Sequence, residues 1–380
     1  MKKLIIIGMV LAGAGAFAAE KVETDALKLD KNMQTAGKSA QTENITWIDA
    51  KDIPMEGNAF WPESRTQFVR LPPDAKDKVR KAVWGLSHHC AGLCFRFSTD
   101  SDFIELKFKF DQNPGFAYQR VPDIYRWAEE KQSWRFVNCD IYTKSGWKQP
   151  WIPGEQCMIY LPNYAVCQSF QIGIKPGTTI KALPPRKNGQ VKPVVVYGTS
   201  ITQGAWATRP GLAYLNIVQR KLDVPMVNLG FSGNGSTEFA MGEYLAQIDA
   251  SCYVIDTQHN SGYEAFHEKG DQRAIKLLKY LRERRPDVPI VLCQGACAAY
   301  KSEYPYMDYK VRKLKRTNDA IAWLYNHLKS EGWQKLYLLE ADALMPEDGE
   351  GTVDHAHPND WGMMHLANGY AEAIKTALGM

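Results

Sequence analysis

From residue 194 onward, short apolar runs alternate with stretches whose apolar residues recur at helical spacing. The runs are 194–197, 226–229, 252–256, 289–293 and 335–339. The helical stretches are 210–222, 236–247, 270–285, 309–329 and 360–378. A short run that is apolar throughout reads as a strand buried on both faces, and such strands belong to parallel sheets covered by helices. Five strands alternating with five helices therefore predict an α/β domain built on a five-stranded parallel sheet. Right-handed crossovers bring all five strand ends to one edge. Open α/β sheets bind their ligands at that edge, so the residues that follow each strand are where chemistry is expected.

Upstream the rhythm is different. Leu93, Phe95 and Phe97 alternate with Cys94 and Arg96, and Ile104, Leu106, Phe108 and Phe110 alternate with Glu105, Lys107 and Lys109. A period of two marks strands with one buried and one wet face. Further short runs at 123–127, 134–142, 157–161 and 167–174 are separated by turn residues. The pattern predicts an antiparallel β-sandwich, jelly-roll-like, over 44–183. Residues 184–193 carry prolines, a glycine and charges and read as a linker to the domain 194–380.

The chain opens Met1-Lys2-Lys3, continues with an apolar segment from Leu4, and reaches Ala16-Phe17-Ala18-Ala19. Basic start, short apolar middle and small-residue end predict a secretory signal peptide over 1–19 and an exported, periplasmic or secreted protein. Polar residues 20–43 read as a flexible leader. No later segment approaches the length of a membrane span. The formal charge is only +4, and Lys2 and Lys3 supply two of it. That balance gives no footprint for nucleic acid. Of eight cysteines, Cys90/Cys94 and Cys293/Cys297 have zinc-like spacing, but each pair lies in or beside an apolar strand pattern and reads as structural. Disulfide pairing and oligomeric state are not legible, and no cofactor or metal is expected.

Four strand ends carry candidate chemistry. After the first run comes Gly198-Thr199-Ser200, with a serine on a sharp turn. The serine reads either as a nucleophile or as the cap of the next helix. After the second comes Gly230-Phe231-Ser232-Gly233-Asn234-Gly235, whose glycine spacing is not a dinucleotide fingerprint. Such a glycine-rich turn exposes backbone N–H groups of the kind a tetrahedral oxyanion needs. After the third comes Asp256-Thr257-Gln258-His259-Asn260, where a side-chain amide can donate to the same oxygen. Before the last helix lies Asp354-His355-Ala356-His357-Pro358. An acid three residues before a histidine can orient its imidazole, and the imidazole can take the proton of a serine. His355 is the alternative base. The same residues can be an ordinary helix-entry turn, and a metal site would need further ligands at a recognisable spacing.

Ser, Gly, Asn and Asp-x-x-His, in that order on successive strand ends, resemble the signature of the SGNH hydrolases, the GDSL-type esterase and lipase superfamily. The resemblance covers about 193–378 and implies a flavodoxin-like three-layer α/β/α fold. It implies Ser200 as nucleophile, His357 as general base and Asp354 as its partner. The oxyanion hole would be the N–H of Ser200, the N–H of Gly233 and the side chain of Asn260. The usual Gly-Asp-Ser is here Gly198-Thr199-Ser200, and the usual Gly-x-Asn-Asp is replaced by Gln258-His259-Asn260-Ser261. The expected activity is hydrolysis of acyl esters, acetyl above all, on an acylated small molecule or a glycan. Trp61, Trp127, Trp134, Trp147 and Trp151 either offer sugar-stacking surfaces or fill the sandwich core. Trp206 and Trp361 flank the serine and the histidine and either wall a small acyl pocket or pack the adjoining helices. A catalytically idle carbohydrate-binding fold and an acyltransferase using the same groups are the alternatives.

Overall fold

A computed structural model describes residues 44–60, 68–111, 121–143, 145–186, 188–296, 308–346 and 348–380. The predicted signal peptide and leader, Trp61 and Cys297 lie outside the described residues.

The N-terminal strands are β1 (Thr46–Asp49), β2 (Met55–Glu56), β3 (Cys94–Thr99), β4 (Phe103–Phe110), β5 (Asp123–Ala128), β6 (Ser133–Asn138), β7 (Lys148–Pro150), β8 (Gln156–Tyr160), β9 (Cys167–Ile174) and β10 (Ile180–Ala182). They form two antiparallel sheets, ordered β1-β9-β4-β7 and β10-β3-β8-β5-β6, with β2 added beside β3. Setting aside short β2 and β10, the remaining eight strands shuttle between the sheets in the order of a jelly roll. The period-two residues do what their spacing predicts. Phe95, Phe97 and Ile159 from one sheet meet Leu106, Phe108, Phe170 and Ile172 from the other.

The second sheet is buried on its other face as well. Tyr125, Trp134, Met158 and Tyr160 form a small cluster there. The Tyr160 hydroxyl donates to the Asn216 carbonyl (3.2 Å) and to Gln219 Oε1 (2.8 Å) on the helix Tyr214–Leu222. A further part of the N-terminal half leaves the sandwich altogether. Leu71, Ala75, Val79 and Val83 pack into the core of the parallel sheet, and a short helix, Lys81–Ser87, lies in this excursion. Too short to show a helical period, it is not apparent in the sequence.

The second half holds β11 (Val194–Gly198), β12 (Met226–Gly230), β13 (Cys252–Asp256), β14 (Ile290–Cys293) and β15 (Leu336–Leu339), all parallel and ordered β12-β11-β13-β14-β15. This is the flavodoxin-like order, with its switch point at β11/β13. The strands are largely apolar because each face meets helices, the buried exceptions being Asn228 in β12 and Asp256 at the end of β13. Val195, Tyr197, Val227, Leu229, Ile255 and Leu292 pack against helices Phe239–Gln247, Arg273–Arg284 and Asp308–Ser330. Val194, Val196, Val254 and Val291 pack against Tyr214–Leu222 and Asp360–Leu378. The fold is therefore a three-layer α/β/α domain preceded by an antiparallel sandwich.

The connection 184–193 is fastened rather than loose. Buried Arg186 pairs with Glu56 (2.6 Å) and Asp223 (3.2 Å), and Asn188 donates to the carbonyls of Leu222 and Asp223. Among the described residues no helix is long and apolar enough to cross a membrane.

Candidate active site

β11 ends at Gly198, and the chain turns at once into the short helix Ser200–Gln203. Gly198 is required there, because a Cβ would lie 2.0 Å from Thr202 Oγ1. The helix is capped by Thr199 and not by Ser200. The Thr199 side chain accepts from the Ile201 N–H, and the Thr202 hydroxyl accepts from the Thr199 N–H (3.0 Å) in a reciprocal box. That overturns the cap reading of Ser200 and leaves its hydroxyl for other work. As the first helical residue, Ser200 also has no intrahelical acceptor for its N–H.

The turn is held from beneath by a residue not singled out in the sequence reading. Asp256, at the end of β13 and 2 % exposed, accepts from the Thr202 hydroxyl (2.7 Å), the Tyr214 hydroxyl (2.7 Å) and the Gln258 amide (2.8 Å). A buried carboxylate is tolerated only when its oxygens are satisfied in this way. The available signal was an acid closing an otherwise apolar strand.

Ser200, His357 and Asp354 form one hydrogen-bonded chain. Ser200 Oγ lies 2.9 Å from His357 Nε2, and His357 Nδ1 lies 2.7 Å from Asp354 Oδ2. The segment 352–358 is built for this by local bonds. Asp354 Oδ1 accepts from the N–H groups of Ala356 (3.1 Å) and His357 (2.7 Å), and the Val353 N–H donates to the His357 carbonyl (2.9 Å). Partial burial pushes the Asp354 carboxyl up, but the N–H bonds and the imidazole together outweigh it and hold the group below the usual carboxylate range. With Asp354 ionised, Nδ1 carries the proton and Nε2 faces the serine as an acceptor. His355 sits in the left-handed region (φ 67°) and is exposed.

Gly233 and Asn260 occupy the same edge. The turn 231–234 is closed by the Asn234 N–H on the Phe231 carbonyl (2.8 Å), with Gly233 at φ +68°. Among the described residues nothing accepts from the Gly233 N–H. Asn260 lies in the single helical turn Gln258–Ser261, and its Oδ1 accepts from the Gly235 N–H (3.2 Å). That bond uses the carbonyl end of the amide and orients the NH₂ end. This bond ties Asn260 to the glycine-rich turn that follows β12. Its neighbour His259 is held neutral chiefly by burial, which lowers its pKa against the pull of Asp256.

The tryptophans divide. Trp151 is buried in the sandwich core with Trp147 half-buried at its edge, whereas Trp134 and half-buried Trp127 pack on the second sheet's other face, where they line a cavity with Arg96 and Pro184. Trp206 and Trp361 are 45 % and 54 % exposed, and the Trp361 ring makes an edge contact with His365 of the same helix (4.6 Å). Trp206 sits at φ 67°, a conformation that costs a bulky residue energy. Its loop is tied to the start of helix Asp360–Leu378 by Thr208, whose N–H and hydroxyl donate to Asp360 (2.9 and 2.6 Å). The cysteines described are unpaired, and burial pushes the thiols of Cys90 and Cys94 up to about 12. Among the described residues no cluster of three or more His, Cys, Asp or Glu side chains is suited to a metal ion.

Residues 191–375 match the GDSL-like lipase/acylhydrolase family, and residues 45–180 match the N-terminus of the SGNH-hydrolase type of esterase. The chain belongs to the SGNH hydrolase superfamily. Among solved structures, this SGNH hydrolase is similar to a GDSL-like lipase candidate from Bacteroides ovatus, at 29 % identity and TM-score 0.77, covering 88 % of this chain and 98 % of the other. A salicylyl-acyltransferase of a tetracycline biosynthetic pathway shares the fold at 17 % identity and TM-score 0.69, with the same two coverages. A family two carbohydrate esterase from Clostridium thermocellum, solved with cellohexaose, shares it at 14 % identity and TM-score 0.51, over 76 % of this chain and 93 % of the other. No curated protein matches the chain by sequence.

Proposed function

We propose that this SGNH hydrolase is an exported serine esterase that removes acyl groups, acetyl above all, from a glycan. The observation that carries the reading is the unbroken chain from Ser200 Oγ through the His357 imidazole to the Asp354 carboxylate. His357 Nε2 takes the hydroxyl proton as Ser200 Oγ attacks the ester carbonyl. The oxyanion that forms is met by the N–H groups of Ser200 and Gly233 and by the Asn260 amide. The imidazolium then gives the proton to the departing sugar oxygen, which leaves as a hydroxyl. Water, activated by the same nitrogen, releases the acyl group from the serine.

Exposure of the base favours hydrolysis over transfer to a second alcohol. The side chains of His357 and Asp354 are 29 % and 47 % exposed, so water reaches the group that would activate it, whereas a transferase must exclude water. A glycan is favoured by Trp206 and Trp361, exposed aromatic surfaces that follow the serine and the histidine within about two helical turns of sequence. The carbohydrate esterase with cellohexaose among the structures of like fold points the same way.

Ser200→Ala is expected to fold as the wild type and to lose turnover of p-nitrophenyl acetate and release of acetate from acetylated polysaccharides. Wild-type turnover retained in this variant would overturn the assignment.

A further inference from the structure

Arg70 belongs to the excursion that leaves the sandwich, and it is fully buried at 1 % exposure. Its guanidinium meets four carbonyl oxygens: His89 (2.8 Å), Leu86 (2.7 Å), Asn228 (2.9 Å) and Gly230 (2.9 Å). No carboxylate pairs with it among the described residues. The last two carbonyls are the end of β12, immediately before the turn 231–234, and the guanidinium also lies 4.9 Å from the centre of the Phe231 ring. Burying a cation on carbonyls alone is expensive, and an apolar residue of similar volume would commonly serve stability as well. Burial lowers the Arg70 pKa to about 10, so the charge persists at neutral pH.

A second link reaches the same turn. Gln203, in the helix that begins at Ser200, accepts the Ser232 N–H on Oε1 (3.0 Å). Its Nε2 donates to the Asn163 carbonyl (3.2 Å) and lies 2.9 Å from His89 Nδ1. Burial above all holds His89 neutral, with its pKa near 4, so Nδ1 is free to accept from the amide. The amide is thereby fixed in one orientation, with its oxygen toward Ser232. Gln203 and Asn163 are fully buried, so the bond between them is not shared with bulk water.

The geometry points to Arg70 and His89 as positioning residues: from the N-terminal half of the chain they fix the 231–234 turn so that the Gly233 N–H meets the reacting oxygen. Arg70 sets where β12 ends. His89, acting through Gln203, sets the Phe231–Ser232 peptide, one before the peptide that carries the Gly233 N–H. This rests on the esterase reading above and gives a chemical role to the excursion that leaves the sandwich for the parallel sheet.

The test uses the full chain with Arg70→Lys, His89→Ala and His89→Asn, and Ser200→Ala alongside. Lysine keeps the charge but cannot span four carbonyls. Asparagine can place an oxygen where Nδ1 stood, and alanine cannot. Misplacing a catalytic group by about 1 Å costs on the order of 10²-fold. We expect kcat on p-nitrophenyl acetate to fall about 10- to 100-fold in Arg70→Lys and His89→Ala. KM should stay within about twofold, and inhibition by a boronic acid, whose serine adduct places an oxyanion in the hole, should weaken in step with kcat. His89→Asn should recover most of the loss. If Arg70→Lys does not fold, the His89 pair decides. Folded His89→Ala with wild-type kcat, or a loss that asparagine does not rescue, overturns the inference while Ser200→Ala remains dead. Activity surviving in Ser200→Ala would instead overturn the underlying esterase reading.

Discussion

The two halves of the site are held in opposite ways. The serine turn is buried, Ser200 itself being 8 % exposed, and is tied to distant parts of the chain. Asp256 holds Thr202 from 54 residues away, and Tyr164 donates to the Ser200 carbonyl (3.3 Å) across 36 residues. The histidine loop is partly exposed and holds itself, with Asp354 bonded to residues two and three positions ahead. A nucleophile on a short polar side chain needs its backbone fixed from outside. An imidazole needs only one carboxylate in the right place, and a three-residue spacing provides it.

That difference can be broken by substitution. Asp354→Asn should leave folding and Tm nearly unchanged, because the loop is local. It should cut kcat by about 10²- to 10⁴-fold, since the amide favours the imidazole tautomer with its proton on the wrong nitrogen. Steady-state kinetics with a thermal melt check both halves of that statement. Asp256→Asn should do the reverse in stability. It faces the Thr202 and Tyr214 hydroxyls and the Gln258 amide with a donor of its own, at a cost of about 1–3 kcal/mol per unsatisfied buried group. Denaturant unfolding should register that loss, with activity falling as the serine turn loosens. A third effect, visible only on acidification, concerns His89. Its folded pKa is about 4 against an ordinary 6.5, so between those values the unfolded chain binds a proton that the folded chain does not. Stability should therefore fall as pH drops from about 6.5 toward 4, by at most about 1.4 kcal/mol per pH unit. The slope should be shallower in His89→Asn, as unfolding free energies at several pH values will reveal.

The same contrast decides how much the sequence discloses. The five parallel strands are legible because burial on both faces leaves a largely apolar run. The Asp354–His357 pairing is legible because its geometry spans three residues. Asp256, Arg70, His89 and Gln203 are not, since their partners are remote and a buried arginine looks like any surface arginine in a string of letters. Helix Lys81–Ser87 escapes notice for a related reason: it packs as part of an excursion into a sheet that the chain has not yet formed. Gly198 and Gly233 are intermediate. Their turns can be anticipated, but what their backbones touch cannot.

Labelling of the full chain by a fluorophosphonate, read by peptide mass spectrometry, tests the central claim most directly. One adduct on the peptide containing Ser200, formed quickly in the wild type and lost in His357→Ala, is the expected result. No adduct at Ser200, or an adduct formed equally fast without His357, would contradict the account.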